Sequence, residues 1–329
     1  MIMDDFNIEE GFPTLITFRK NNNDWKHLLL SDALQIKHRL LNEGALVCRN
    51  LPLGTAKDFS DFIKTVNLGT LVNYLGGDSP RNKVYDEIYT STEAPPHIYL
   101  PLHQELSYLK HYPKHIYFYC ETEPLFQGET VIADARKIYN ALDPDVVARF
   151  QEKNILYISH YYQKSRFMEF INSFARSHKS WMDVFETDSK QEVEQFCQSN
   201  EIEWKWLQGN WIELKHVRPA TTHHPITKEI VWFNQAHLYD FNLKLLGLKN
   251  FLACKLVYFR PSTRLHEVTF ADGSPIARDD IYHILDTLKK YTIPHHWKKG
   301  DVMILDNILT MHGRATFKGK RGVLTALTT

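Results

Sequence analysis

Two short stretches, far apart in the chain, carry residue types that could do chemistry together. Pro101-Leu102-His103-Gln104-Glu105 sets an imidazole and a carboxylate two positions apart. On a β-strand, side chains at i and i+2 leave the same face, so His103 and Glu105 are expected side by side. Near the far end, Leu305-Asp306-Asn307-Ile308-Leu309-Thr310-Met311-His312-Gly313-Arg314 adds a second imidazole. Two histidines and one carboxylate on one face of a metal ion, with the opposite positions open, form the facial triad that holds non-haem Fe(II). His103, Glu105 and His312 are therefore the candidate ligands. His-x-Glu alone is a weak signal, because a chain with 17 histidines supplies it by chance. Its company adds weight: Gly128-Glu129-Thr130 follows it, and Arg314 and Arg321 follow His312.

The elements that must position these residues can be read from apolar spacing. Residues 1–24 read as irregular. Trp25 to Asn42 repeats apolar residues at helical intervals and stops at Gly44. Ala45-Leu46-Val47-Cys48 reads as a buried strand, and Thr55 caps a second helix with Phe59, Phe62, Ile63 and Val66 on one side. Further along, strands are expected at His103, Ile116–Cys120, Thr130–Asp134, 204–206, 211–214, Ile230–Asn234, 302–306 and 323–327. Helices are expected after Asp143-Pro144, over Lys190–Ser199 and around Ile281–Leu288. The class is α+β with a mainly β core, and strands at this spacing suit a double-stranded β-helix, or jelly roll, with flanking helices. One domain over 1–329 is expected, with 1–67 as a helix–strand–helix buttress packed outside the sheet. Residues 68–329 would form the jelly-roll core, with inserted lid segments at 76–100 and 160–185.

Composition excludes several classes. Lys plus Arg and Asp plus Glu balance at 39 each, which gives no field for nucleic acid or acidic membranes. The four cysteines are scattered without a Cys-x-x-Cys, so neither a disulfide framework nor a structural zinc site is expected. The first residues are acidic, with no basic start before an apolar run, and no stretch approaches the roughly 20 apolar residues of a membrane span. A cytoplasmic protein is expected.

Several segments together resemble one family. Tyr89-Thr90-Ser91-Thr92-Glu93, the His103 and Glu105 stretch, Gly128-Glu129-Thr130 with Ala133-Asp134, Arg218-Pro219-Ala220, Val231 to His237, and Leu305 to Arg314 are similar to the TauD/TfdA dioxygenases. The likeness runs from about Gly44 to Ala326 and is nearest the His-x-Glu branch, with the clavaminate synthase-like enzymes and the syringomycin-pathway hydroxylases. It implies an Fe(II)- and 2-oxoglutarate-dependent enzyme that uses O2. His103, Glu105 and His312 match the iron ligands. Thr130 and Arg321 match the pair that holds the far carboxylate of 2-oxoglutarate, a role suited to a planar guanidinium fork and a hydroxyl donor. Arg314 could contact the cosubstrate or serve a structural ion pair. Glu105, where the commonest pattern has aspartate, still supplies an anionic ligand and argues against halogenation. The implied reaction is hydroxylation of an unactivated C–H bond of a small, amino-acid-like molecule, free or tethered to a carrier protein in a biosynthetic pathway. Desaturation, cyclisation and oxidative decarboxylation stay open, as does a non-catalytic binding jelly roll. A zinc hydrolase would leave Thr130 and Arg321 unexplained.

Other residues read more plainly. His223-His224 before Pro225 belongs to a turn, since neighbours on a strand face opposite ways. Gly76-Gly77 lacks the Lys-Ser/Thr of a phosphate loop. Trp204, Trp206 and Trp211 are sheet-face residues. Asn307 is expected to brace the turn before His312, and Asn234 and His237 are weaker candidates for substrate contact. Arg81, Tyr161, Tyr162, Arg166 and Arg176 in the lid segments suggest polar or anionic recognition.

Overall fold

A computed structural model describes residues 6–19, 25–31, 33–165, 179–257 and 264–329. The backbone of the fold is a nine-stranded sheet. Its order is Phe6–Glu9, Thr14–Phe18, Ala45–Arg49, Val302–Asp306, His115–Thr122, Gly322–Thr328, Ile88–Thr90 and Lys83–Tyr85, with Leu71–Val72 pairing on Gly322–Thr328. Only Thr14–Phe18 and Ala45–Arg49 pair in parallel. The central strands are apolar on both faces through their middles because both faces are covered. Ala45, Val47, Ile116, Phe118, Met303 and Leu305 point into one core cluster. Their neighbours Leu46, Cys48, Tyr117, Tyr119, Val302 and Ile304 point into a second.

The second cluster is closed by helices. Ala56–Val66 starts at Thr55, whose hydroxyl accepts from the Asp58 N–H while Asp58 returns a bond to the cap. It buries Phe59, Phe62, Ile63 and Val66 against the sheet, and Phe59 stacks on Tyr119 with ring centroids 5.4 Å apart. Each such ring contributes about 1.5–3 kcal/mol by leaving water. The buttress therefore exists, but it is woven into the sheet. Residues 6–18, expected to be irregular, contribute two strands at one end of the sheet, and helix occupies Trp25–Ser31 and Ala33–Glu43 in the stretch expected to be helical.

The first cluster lies between the large sheet and a four-stranded antiparallel sheet, ordered Ile293–His295, Thr130–Asp134, Thr310–Arg314 and Leu100–His103. Phe118 on the large sheet reaches His312 on the small one, with ring centroids 5.3 Å apart. A third antiparallel sheet, Glu203–Trp206, Ile212–Arg218, Ile155–Tyr161 and His266–Phe270, extends the core toward the helices Lys190–Ser199 and Arg278–Lys290. The chain is thus a mixed helix and sheet protein with a predominantly antiparallel β core. Among the described residues, no helix is long and apolar enough to cross a membrane.

Candidate metal centre

His103 and His312 meet because their strands are paired in register. His103 ends Leu100–His103 and stands opposite His312 on Thr310–Arg314, with ring centroids 4.5 Å apart. Glycine at 313 permits this approach, since a Cβ there would lie 2.3 Å from the Leu100 carbonyl oxygen.

Glu105 arrives by a different route from the one its spacing suggested. The strand ends at His103, and the chain turns through Leu106 at φ 54°. Asn307 holds the turn: its Oδ1 accepts from the Glu105 N–H at 2.8 Å, and its Nδ2 donates to the carbonyls of Glu105 at 2.9 Å and Pro113 at 2.8 Å. Asn307 thus does for Glu105 what a strand partner would have done, and braces the turn as expected.

One ligand atom from each of His103, Glu105 and His312 lies within 4.8 Å of the others. Protonation suits a cation. The His103 Nδ1–H donates to the Pro101 carbonyl at 2.8 Å, leaving the lone pair on Nε2. Burial, and then His312, push its pKa down to about 3, so the ring is neutral. Burial opposes charge on Glu105, but Arg81 and the two imidazoles outweigh it and hold the carboxyl below its usual range. His312 Nδ1 is buried without a partner in the protein. Two imidazoles and an anionic oxygen fit a divalent ion.

Arg81 was not foreseen here. Its guanidinium sits 2.5 Å from Glu105 Oε2 with both side chains 4% exposed, and it stacks on Tyr74 at 4.1 Å. Its Nε and Nη1 have no partner in the protein.

Two cavities share His103. The first is lined by Arg81, Ser91, Thr130, His312, Arg314 and Arg321. Arg321 anchors Nε on the Gly128 carbonyl at 2.8 Å and turns Nη1 to Ser91 at 3.3 Å and Nη2 to Thr130 at 3.4 Å. Burial, and then Arg314, lower its pKa to about 10, so it stays cationic at neutral pH. The Thr130 hydroxyl also accepts from Trp297 Nε1 at 3.1 Å. Arg314 lines the same cavity, but it donates to the carbonyls of Ala94, Pro95 and Ile98 and so clamps that loop. The second cavity lies between His103, Glu105, Asp78, Tyr108, Tyr239 and His266.

The remaining candidates fall outside the centre. His237 is fully buried and bonds the Leu102 carbonyl at 2.8 Å. Asn234 donates to the Ala220 carbonyl at 2.8 Å. Both shape the backbone around the site. His224 bonds Asp306 at 3.0 Å within its turn. Arg166 and Arg176 lie outside the described residues. The turn at 76–81, read as part of a lid segment in which Arg81 was named for polar or anionic recognition, also supplies Asp78; two charges beside a Gly-Gly pair were the signal available.

Over residues 10–328 the chain matches the taurine catabolism dioxygenase TauD, TfdA family. The chain belongs to that dioxygenase family. It is 31% identical over 288 residues to the dapdiamide synthesis protein DdaC of Enterobacter agglomerans, covering 88% of this chain and 83% of the relative. A clavaminate synthase-like protein of Arabidopsis thaliana is 28% identical over 293 residues, covering 88% and 82%. Among solved structures, AAD-2 in complex with Mn(II) and N-oxalylglycine overlays with a TM-score of 0.57 at 12% identity, covering 98% of this chain and 96% of that one. PvcB, an Fe, α-ketoglutarate-dependent oxygenase from an isonitrile synthetic pathway, overlays at 0.53 and 13% identity, covering 100% and 93%. At such identities these two structures speak for the fold.

Proposed function

We propose that this TauD/TfdA-family enzyme is an Fe(II)- and 2-oxoglutarate-dependent oxygenase that hydroxylates an unactivated C–H bond of a small, amino-acid-like substrate. That substrate is free or carrier-tethered, and the reaction belongs to a biosynthetic pathway. The observation that carries this reading is the shared wall: His103 borders both a cavity ending in Arg321 and Thr130 and a second, open cleft.

His103, Glu105 and His312 would hold the iron. When bound, iron and 2-oxoglutarate supply with O2 an oxidant able to remove an aliphatic hydrogen, the keto acid leaving as succinate and CO2. The chain's own residues bind and orient. Arg321 offers its fork to the far carboxylate, and Trp297 and Arg321 together fix the Thr130 hydroxyl. Arg81 lines the same cavity while paired with Glu105. Leu100 and Phe118 close the cavity wall and keep water from it. A double-stranded β-helix formed by the large and small sheets, in one domain over 1–329 of a cytoplasmic protein, is the architecture this reading implies.

Iron analysis with succinate release tests the proposal. Wild-type protein should retain stoichiometric Fe(II) and release succinate. His103→Ala and His312→Ala should remain folded and lose both properties. Near wild-type turnover in either variant would remove the triad from the scheme.

A further inference from the structure

The second cleft contains a carboxylate whose hydrogen-bond donors, among the described residues, are all neutral groups. Asp78 Oδ1 accepts the Tyr161 hydroxyl, and Oδ2 accepts the Tyr239 hydroxyl at 3.1 Å. His266 Nε2 stands 3.4 Å from Oδ2. All of these donors are neutral. Burial, and then Asp78 itself, keep both phenols far above their usual pKa, and burial lowers that of His266.

Among the described residues, no lysine or arginine nitrogen is within salt-bridge distance of Asp78. Lys179 feels Asp78 through space, but its ammonium bonds the Gly77 carbonyl at 3.1 Å and lies over the Tyr74 ring at 5.3 Å. Arg81 is committed to Glu105. A partly enclosed carboxylate held only by neutral donors is a ready partner for a ligand cation.

The rest of the cleft suits the same ligand. Tyr108 and Tyr239 present ring surface, which attracts a cation through its negative face, while Leu100, Pro101 and Leu238 give an apolar wall beside His103 and Glu105. We propose that Asp78 anchors a substrate ammonium, so that the enzyme takes an amine whose aliphatic part lies along Leu100 and Leu238 toward the metal centre. This inference rests on the oxygenase reading above. It also departs from the anionic recognition suggested by the arginines of the lid segments.

The test uses full-length protein with Mn(II) at the centre and N-oxalylglycine as a redox-inert stand-in for 2-oxoglutarate. Matched fragments, n-butylammonium, n-butanol and butyrate, are followed by paramagnetic broadening of their proton NMR lines. Butylammonium should be broadened at about tenfold lower concentration than the other two. Asp78→Asn, which keeps the size and an acceptor oxygen, should remove that preference. Equal or stronger broadening of butanol or butyrate in wild-type protein overturns the proposal, and so does an unchanged preference in Asp78→Asn. The wild-type comparison decides the matter even if the variant does not fold. Mn(II) binding is measured separately by EPR. Mn(II) bound without ammonium selectivity defeats this inference alone, and failure to bind Mn(II) defeats the oxygenase reading and this inference with it.

Discussion

At the scale of single residues, the centre is a balance of buried charges. Arg81 and Glu105 form an ion pair that is 4% exposed on each side, and removing one partner of such a pair costs about 3–5 kcal/mol because the other charge is stranded. Arg81→Met keeps the stem's packing and strands Glu105. A divalent ion would restore a cationic partner, so Mn(II) should raise the melting temperature of Arg81→Met more than that of wild type. Equal metal-induced shifts in the two proteins would mean that Arg81 is not what stabilises the metal-free carboxylate. Arg321 makes a different prediction. Arg321→Ala removes the fork beside Thr130 and Ser91, and a charge-assisted contact contributes about 1.5–3 kcal/mol. The apparent KM for 2-oxoglutarate should rise roughly tenfold to hundredfold, with Thr130→Ala raising it less. An unchanged KM in Arg321→Ala would shift the cosubstrate role to Arg81, since Arg314 is occupied by three carbonyls.

At the scale of elements, the close strand pairing at His103 and His312 depends on Gly313. A Cβ added there would meet the backbone oxygen of Leu100 at 2.3 Å and Pro101 at 3.0 Å. Backbone cannot swing aside as a side chain can, so the Thr310–Arg314 strand must move from Leu100–His103. Gly313→Ala should cost about 1–3 kcal/mol in urea unfolding and weaken Mn(II) affinity with it, because the imidazoles separate. Wild-type metal affinity in a destabilised Gly313→Ala would show that the strand pair does not set the ligand spacing. The same elements mark what a sequence can disclose. His103, Glu105 and His312, which the structure brings together, were legible from their residue types and order; Thr130 and Arg321 were named through the family resemblance, and the structure sets both on one cavity wall. Glu105 was placed correctly for the wrong reason: the i, i+2 rule needs a strand, and a side chain, Asn307, replaces the ladder there. Asp78 was opaque, and Arg81 was named for the lid without its pairing to Glu105, because a turn has no periodicity to give its charges a direction. The strands Phe6–Glu9 and Thr14–Phe18 were missed for a related reason: each is short, and their pairing depends on Ala45–Arg49, which comes later in the chain.

At the scale of the whole molecule, the third sheet carries a built-in acid sensitivity away from the metal ligands. His216 packs against Tyr108 and Tyr157, with ring centroids 6.0 and 5.5 Å away, and neither of its nitrogens has a partner in the protein. Burial, with Arg218 and His266 adding to it, lowers its pKa from 6.5 to about 3. Between those values the unfolded chain holds a proton that the folded chain refuses, so stability is complete above pH 6.5 and drains away as pH falls. At pH 5 the loss from this one group is about 2 kcal/mol. His216→Phe keeps a ring in the aromatic cluster and removes the titration. Urea unfolding of both proteins at pH 7.5 and pH 5 measures the effect. The drop between the two pH values should be smaller in His216→Phe by about 2 kcal/mol. The drop that remains belongs to the other histidines buried neutral, among them His237, lowered to about 4 by burial. An identical drop in both proteins would mean that the His216 ring gains its proton within the folded state, and that the core between the second cleft and the third sheet is open to water at mild acidity.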